Sequence, residues 1–238
     1  MSKIKYSSWP LGKVPKKWHR KELDKVKELG YIWEDPRDVI KMFEQKVAHY
    51  AGSKYAVAVD SCSNGLFLCL KYLKATGTIT IPSRTYVSVP MQIKHAGCDV
   101  DFEEKEWSGI YQLKPYPIFD GATRFTRGMY MGFACHECKD ALQVVSFQLK
   151  KRLPIGRGGM ILTDDKDAYE WLCKARHDGR DLDTDYMDDD FGFLGWHMYM
   201  TPEDAARGII IMDQLPACNP DSGGSNNYSD LSTKGIFK

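Results

Sequence analysis

The chain lacks an excess of either charge: 33 Lys and Arg stand against 32 Asp and Glu in 238 residues. That near-balance sets up no overall field to draw nucleic acid. No stretch approaches the roughly 20 consecutive apolar residues that a membrane helix needs, and residues 1–30 lack the apolar core of a secretory signal. The expectation is a soluble cytoplasmic protein with neither nucleic acid nor membrane as partner. Internal repeats are absent as well. The seven cysteines are odd in number and scattered through apolar patterns, which suits a reducing compartment better than a disulfide framework. Cys135-His136-Glu137-Cys138 has metal-type spacing, but no second cysteine pair stands near it to complete a tetrahedral site, so no metal is expected. Asp181-Leu182-Asp183-Thr184-Asp185 opens like a calcium loop, yet Tyr186 sits where that turn needs glycine.

What is present is an alternation of helical and β-type patterns. Ile40, Phe43 and Val47 recur at helical spacing before Gly52, and β-type runs follow at 55–59, 78–81, 100–102, 118–120, 144–147 and 160–163. This order predicts an α/β fold with a mostly parallel central sheet flanked by helices. A chain of this length buries one large core, or a large domain with an appendage. Residues 13–27 carry seven basic side chains, but Glu22, Asp24 and Glu28 interleave with them, the pattern of a solvated helix face. Residues 216–238 are rich in Gly, Ser, Asn and Asp, which favours a flexible tail.

Three segments carry chemistry. The run from Ser146-Phe147 through Lys150-Lys151 to Gly156, Gly158 and Gly159 sets lysines between a β-type run and a glycine-rich turn, where a partly desolvated amine can act as a nucleophile. Tyr116-Pro117-Ile118-Phe119-Asp120 ends an apolar strand on a carboxylate, either a ligand contact at a strand tip or a helix cap. Tyr55 to Val59 runs into Asp60-Ser61-Cys62-Ser63-Asn64-Gly65 and then a helical pattern of Leu66, Leu70 and Leu73. Backbone N–H groups of Cys62, Ser63 and Asn64, with the Ser63 hydroxyl, could hold a phosphate there, or simply cap the helix.

Together these segments resemble the DegT/DnrJ/StrS family of sugar aminotransferases, pyridoxal-phosphate enzymes of fold type I. Ile81-Pro82-Ser83-Arg84-Thr85-Tyr86 is similar to the family's proline-x-x-threonine-aromatic motif, and Arg176 to Arg180 with Gly195 to Ala206 resemble its helix-loop-helix. The resemblance implies a three-layer large domain over 33–215, after an N-terminal segment 1–32 and before the tail 216–238, without the family's small C-terminal domain. It implies that Lys151, rather than Lys150, is the Schiff-base lysine of pyridoxal 5'-phosphate and that Asp120 pairs with the pyridine nitrogen. Tyr86 would stack on the ring and Ser146 would contact the phosphate. Departures fall at Cys62-Ser63, in place of glycine-threonine, and at Thr123, in place of glutamine or histidine. His197-Met198-Tyr199 replaces asparagine-x-arginine, a position that reaches the neighbouring subunit's phosphate. The implied reaction moves an amino group from an amino donor, glutamate or glutamine, to a keto sugar nucleotide, in a homodimer with shared sites. A pyridoxal-phosphate enzyme of another reaction type, such as a sugar dehydratase, and a non-catalytic binding protein on the same fold are the alternatives.

Overall fold

The computed structural model describes residues 20–134, 138 and 140–237. Cys135, His136 and Glu137 of the metal-type spacing, and 13–19 of the basic stretch, lie outside the described residues. Helices α1 (Lys21–Glu28) and α2 (Pro36–Ala51) come first. Asp35 caps α2 by accepting the Arg37 N–H at 2.8 Å, Pro36 supplies the fixed first turn, and Gly52 ends the helix in the left-handed region at φ 86°. Val39, Ile40, Phe43 and Val47 form its buried stripe.

Strands β1 (Tyr55–Val59), β7 (Gly159–Thr163), β6 (Leu142–Ser146), β5 (Ile118–Asp120) and β4 (Tyr111–Leu113) form one sheet in that order. Strands β2 (Thr78–Pro82) and β3 (Asp99–Glu103) pair beside it. Thr80 and Lys114 exchange backbone hydrogen bonds of 2.9 and 3.1 Å, joining β2 to the end of β4. Alternation along β1 sends Ala56 and Ala58 into one core, with Phe43, Phe147 and Ile209, and Val57 and Val59 into a second, with Leu66, Ile79 and Leu172. The first core packs the sheet against α2 and α7 (Pro202–Met212), and the second packs it against α3 (Cys62–Tyr72) and α6 (Lys166–Ala175).

The expectation of a mostly parallel sheet is corrected: the sheet is mixed. Among the described residues β5 with β6 and β2 with β3 run parallel, whereas β1 with β7, β6 with β7 and β4 with β5 run antiparallel. The connections are the cause. Parallel neighbours need a long crossover, usually helical, and α4 (Ser88–His95) supplies one between β2 and β3. Only residues 114–117 separate β4 from β5, and 147–158 join β6 to β7 without a helix, so each pair folds back on itself.

Residues 216–237, expected as a flexible tail, are instead tied along the rim of the sheet. Ser222 N donates to Thr123 O at 2.8 Å, Ser225 N to Trp107 O at 3.0 Å and Leu231 N to Ser83 O at 2.8 Å. Leu231 and Phe237 are buried, the latter against Phe102. The polar composition of this stretch serves backbone pairing and side-chain bonds rather than solvation.

Candidate active site

The tip of β5, the end of β6, the start of β7 and the turn from β1 into α3 converge on a cavity of about 650 Å³. Ligand sites in open α/β sheets gather at such strand ends. Seven of the eight residues expected from the sequence line it: Cys62, Ser63, Tyr86, Asp120, Thr123, Ser146 and Lys151. His197 is the exception. Its exposed ring lies with Nδ1 2.9 Å from Asp178 Oδ2, on the strand-like bridge with His177 and outside this cavity. Lys150 also lines the cavity, so position alone does not separate the two lysines. Of the two, Lys151 is the one that acts on the site's buried groups, favouring the charged forms of Asp120 and Cys62.

The local sequence explains the convergence. Gly158 and Gly159 let the start of β7 run directly against the turn before α3, since a Cβ at Gly159 would lie 2.6 Å from Cys62 N and 2.8 Å from Ser61 C. At the head of α3, Ser61 Oγ accepts the Asn64 N–H at 3.1 Å. Of the two readings of this turn, capping is therefore the one that holds for the Asn64 N–H, which the helix's own cap takes. Ser63 keeps its place on the cavity, its Oγ 2.6 Å from Ser88 Oγ. Asp60 is held by Asn64 Nδ2 at 2.7 Å and Arg157 Nη2 at 2.8 Å, closing the turn from outside.

Asp120 is the electrostatic centre. It is buried, with Oδ2 accepting from Tyr111 OH at 2.6 Å and Oδ1 from Ala122 N at 2.9 Å. Burial pushes its carboxyl above the usual carboxylate range, while the Tyr111 hydroxyl, the Ala122 N–H and the Lys151 charge pull the other way. Burial also drives the Cys62 thiol well up, followed by the Asp120 charge, so Cys62 stands here as a neutral thiol.

Several lining residues were not legible in the sequence. Trp107, Ser222, Asn227 and Tyr228 share the cavity, beside Thr85 of the proline-x-x-threonine-aromatic motif, and Tyr111 stands behind Asp120. The Tyr228 ring lies 6.4 Å from Tyr86 and stacks on Trp107 at 5.9 Å, so residues from three distant segments build one aromatic wall. Tyr111 could have been found from the hairpin pattern around Lys114-Pro115-Tyr116-Pro117, which puts it directly opposite Asp120. The tail residues carried no such signal.

The DegT/DnrJ/EryC1/StrS aminotransferase family model matches residues 17–115 and 136–221. The chain belongs to this family. Within the DegT/DnrJ/EryC1/StrS family, it is 27% identical to the spore coat polysaccharide biosynthesis protein SpsC of Bacillus subtilis, over 63% of this chain and 47% of that one. It is 24% identical to GDP-perosamine synthase of Escherichia coli, over 82% of this chain and 63% of that one. The chain therefore spans less than two thirds of either relative's length. The crystal structure of a sugar aminotransferase from Micromonospora echinospora superposes with a TM-score of 0.63 at 17% identity, covering 89% of this chain and 68% of that one. That likeness shows the shared fold.

Proposed function

We propose that this site belongs to a pyridoxal 5'-phosphate-dependent aminotransferase that moves an amino group from an amino acid, glutamate or glutamine, to a keto sugar nucleotide. The observation that carries the reading is that Lys151 and buried Asp120 line one cavity. The donor set fits the cofactor. Lys151 offers an amine for its aldehyde, Asp120 a buried carboxylate for a protonated ring nitrogen, and the Tyr86 ring a flat apolar face. Ser63, at the head of α3, and Ser146 offer hydroxyls for a phosphate. When bound, pyridoxal phosphate supplies an electron sink for negative charge on the carbon that bears the amine.

The residues divide the remaining work. Lys151 would serve as the general base that takes the proton from that carbon and, as its conjugate acid, would give it back. Asp120 would place negative charge opposite a protonated ring nitrogen, and its burial would strengthen that interaction. A sugar nucleotide as acceptor is supported by the names of the relatives and by an aromatic wall, Tyr86 and Tyr228 with Trp107, able to take a flat ring.

A homodimer with shared sites belongs to the same proposal. His197 lies outside its own chain's cavity, and Met187 and Leu194, in the stretch of chain that leads to it, are 85% and 92% exposed, apolar side chains of the kind that partner surfaces cover. The described cysteines are free thiols, which supports a cytoplasmic location.

The test is a pair of half-reactions. Glutamate or glutamine added to the cofactor-loaded chain should change the cofactor's absorbance, and a keto sugar nucleotide should then restore it. A cofactor spectrum that no amino donor moves contradicts amino transfer.

A further inference from the structure

We propose that Tyr111 is a positioning residue that, with Thr85, holds Asp120 in one orientation and as a carboxylate through a one-way hydrogen-bond relay. Thr85, Tyr111 and Asp120 are each at most 5% exposed. Tyr111 OH donates to Asp120 Oδ2 at 2.6 Å, and the Thr85 and Tyr111 hydroxyls are themselves hydrogen-bonded. Counting protons fixes the direction. A phenol and an alcohol each carry one, and an ionised carboxylate only accepts. With its proton on Asp120, Tyr111 must accept from Thr85. The opposite polarity requires a protonated Asp120; it is the Tyr111 O–H donated to the carboxylate that favours the charged form.

Backbone geometry makes the contact hard to relax. Tyr111 is the cross-strand partner of Asp120 in the β4–β5 hairpin, and its ring packs 4.6 Å from Trp107. Around the carboxylate stand Ala122 N from the following turn, the Cys62 thiol from α3, Lys151 from the loop after β6 and Tyr228 from the C-terminal segment. Of these, the Ala122 N–H, Lys151 and the Cys62 thiol act with the relay, while burial acts against it. Removing the phenol takes away the shortest hydrogen bond to Asp120, and a buried carboxyl with fewer donors binds its proton more tightly.

The inference rests on the proposed cofactor only for what Asp120 faces, and the two can be tested apart. In the cofactor-free full chain, carboxyl-labelled aspartate would give the Asp120 titration midpoint by NMR for wild type, Tyr111→Phe and Thr85→Val. The expected result is a midpoint raised by about one pH unit or more in Tyr111→Phe, the size of a hydrogen bond to a charged group, and a smaller rise in Thr85→Val. Pyridoxal phosphate affinity of Tyr111→Phe should fall about tenfold or more as pH drops through the raised midpoint, and less above it. An unchanged midpoint in both variants overturns the relay, and so does an affinity loss equal at every pH, which a packing defect produces. If Tyr111→Phe fails to fold, the Thr85→Val midpoint decides: raised supports the relay and unchanged overturns it. A wild-type chain that binds no pyridoxal phosphate overturns the cofactor reading, while the midpoints still decide the relay.

Discussion

Arg124 grips Asp221 with two hydrogen bonds, Nε to Oδ1 at 2.9 Å and Nη2 to Oδ2 at 2.8 Å, and so ties the C-terminal segment to the loop that follows Asp120. Ser222, Gly223, Asn227 and Tyr228, just beyond this grip, line the cavity. The pair thus links the packing of a distant segment to the shape of the site.

Acid should release that link. The Arg124 bond holds the Asp221 carboxyl below its ordinary value of 3.8, so its contribution is present above that value and is lost as pH falls through the lowered one. Hydrogen exchange, corrected for intrinsic rates, should show the Ser222 and Ser225 amides protected near neutral pH and exposed in strong acid. Asp221→Asn should expose them near neutral pH as well. Retained protection in that variant would contradict the link.

Glu44 and Arg176 form a buried ion pair, and each also bonds one side of Ala58. Arg176 Nη1 donates to Ala58 O at 2.6 Å, and Ala58 N donates to Glu44 Oε1 at 2.8 Å. Glu44→Ala leaves a buried cation without its partner, and should cost about 3–5 kcal/mol in urea unfolding. Glu44→Gln, which keeps an acceptor for Ala58 N, should cost less. A loss near zero for Glu44→Ala would remove the pair from the account of how α2 and the end of α6 are fixed to β1.

Gly159→Ala tests the close approach of β7 to the turn before α3. The new methyl meets backbone atoms of Ser61 and Cys62, which can yield only by moving the turn. The expected cost is about 1–3 kcal/mol of stability together with weaker cofactor binding. Gly192→Ala is the control, since nothing lies within 4 Å of its added Cβ. Equal binding by the two variants would mean that the approach does not shape the site.

Much of this site was legible because local pattern and strand position coincide. The 55–59 and 118–120 runs are strands as read, and Asp120 stands at the tip of β5 as its place after Ile118 and Phe119 indicates. What stayed hidden depends on pairings between distant residues. β4 has three residues and exists through its hairpin with β5 and its bridge to Thr80, so periodicity gives it little signal. The mixed direction of the sheet follows from the short 114–117 connection, which constrains direction only once both flanking strands are known. Tyr228 reaches the cavity from a stretch whose composition reads as solvated.

The central claim is that Lys151 carries pyridoxal phosphate. Borohydride reduction of the loaded chain, followed by peptide mass spectrometry, should place the stable pyridoxyl label on Lys151 in the wild type. Lys151→Ala should lose the label while Lys150→Ala keeps it. A label on Lys150, or one that survives in Lys151→Ala, would contradict the assignment.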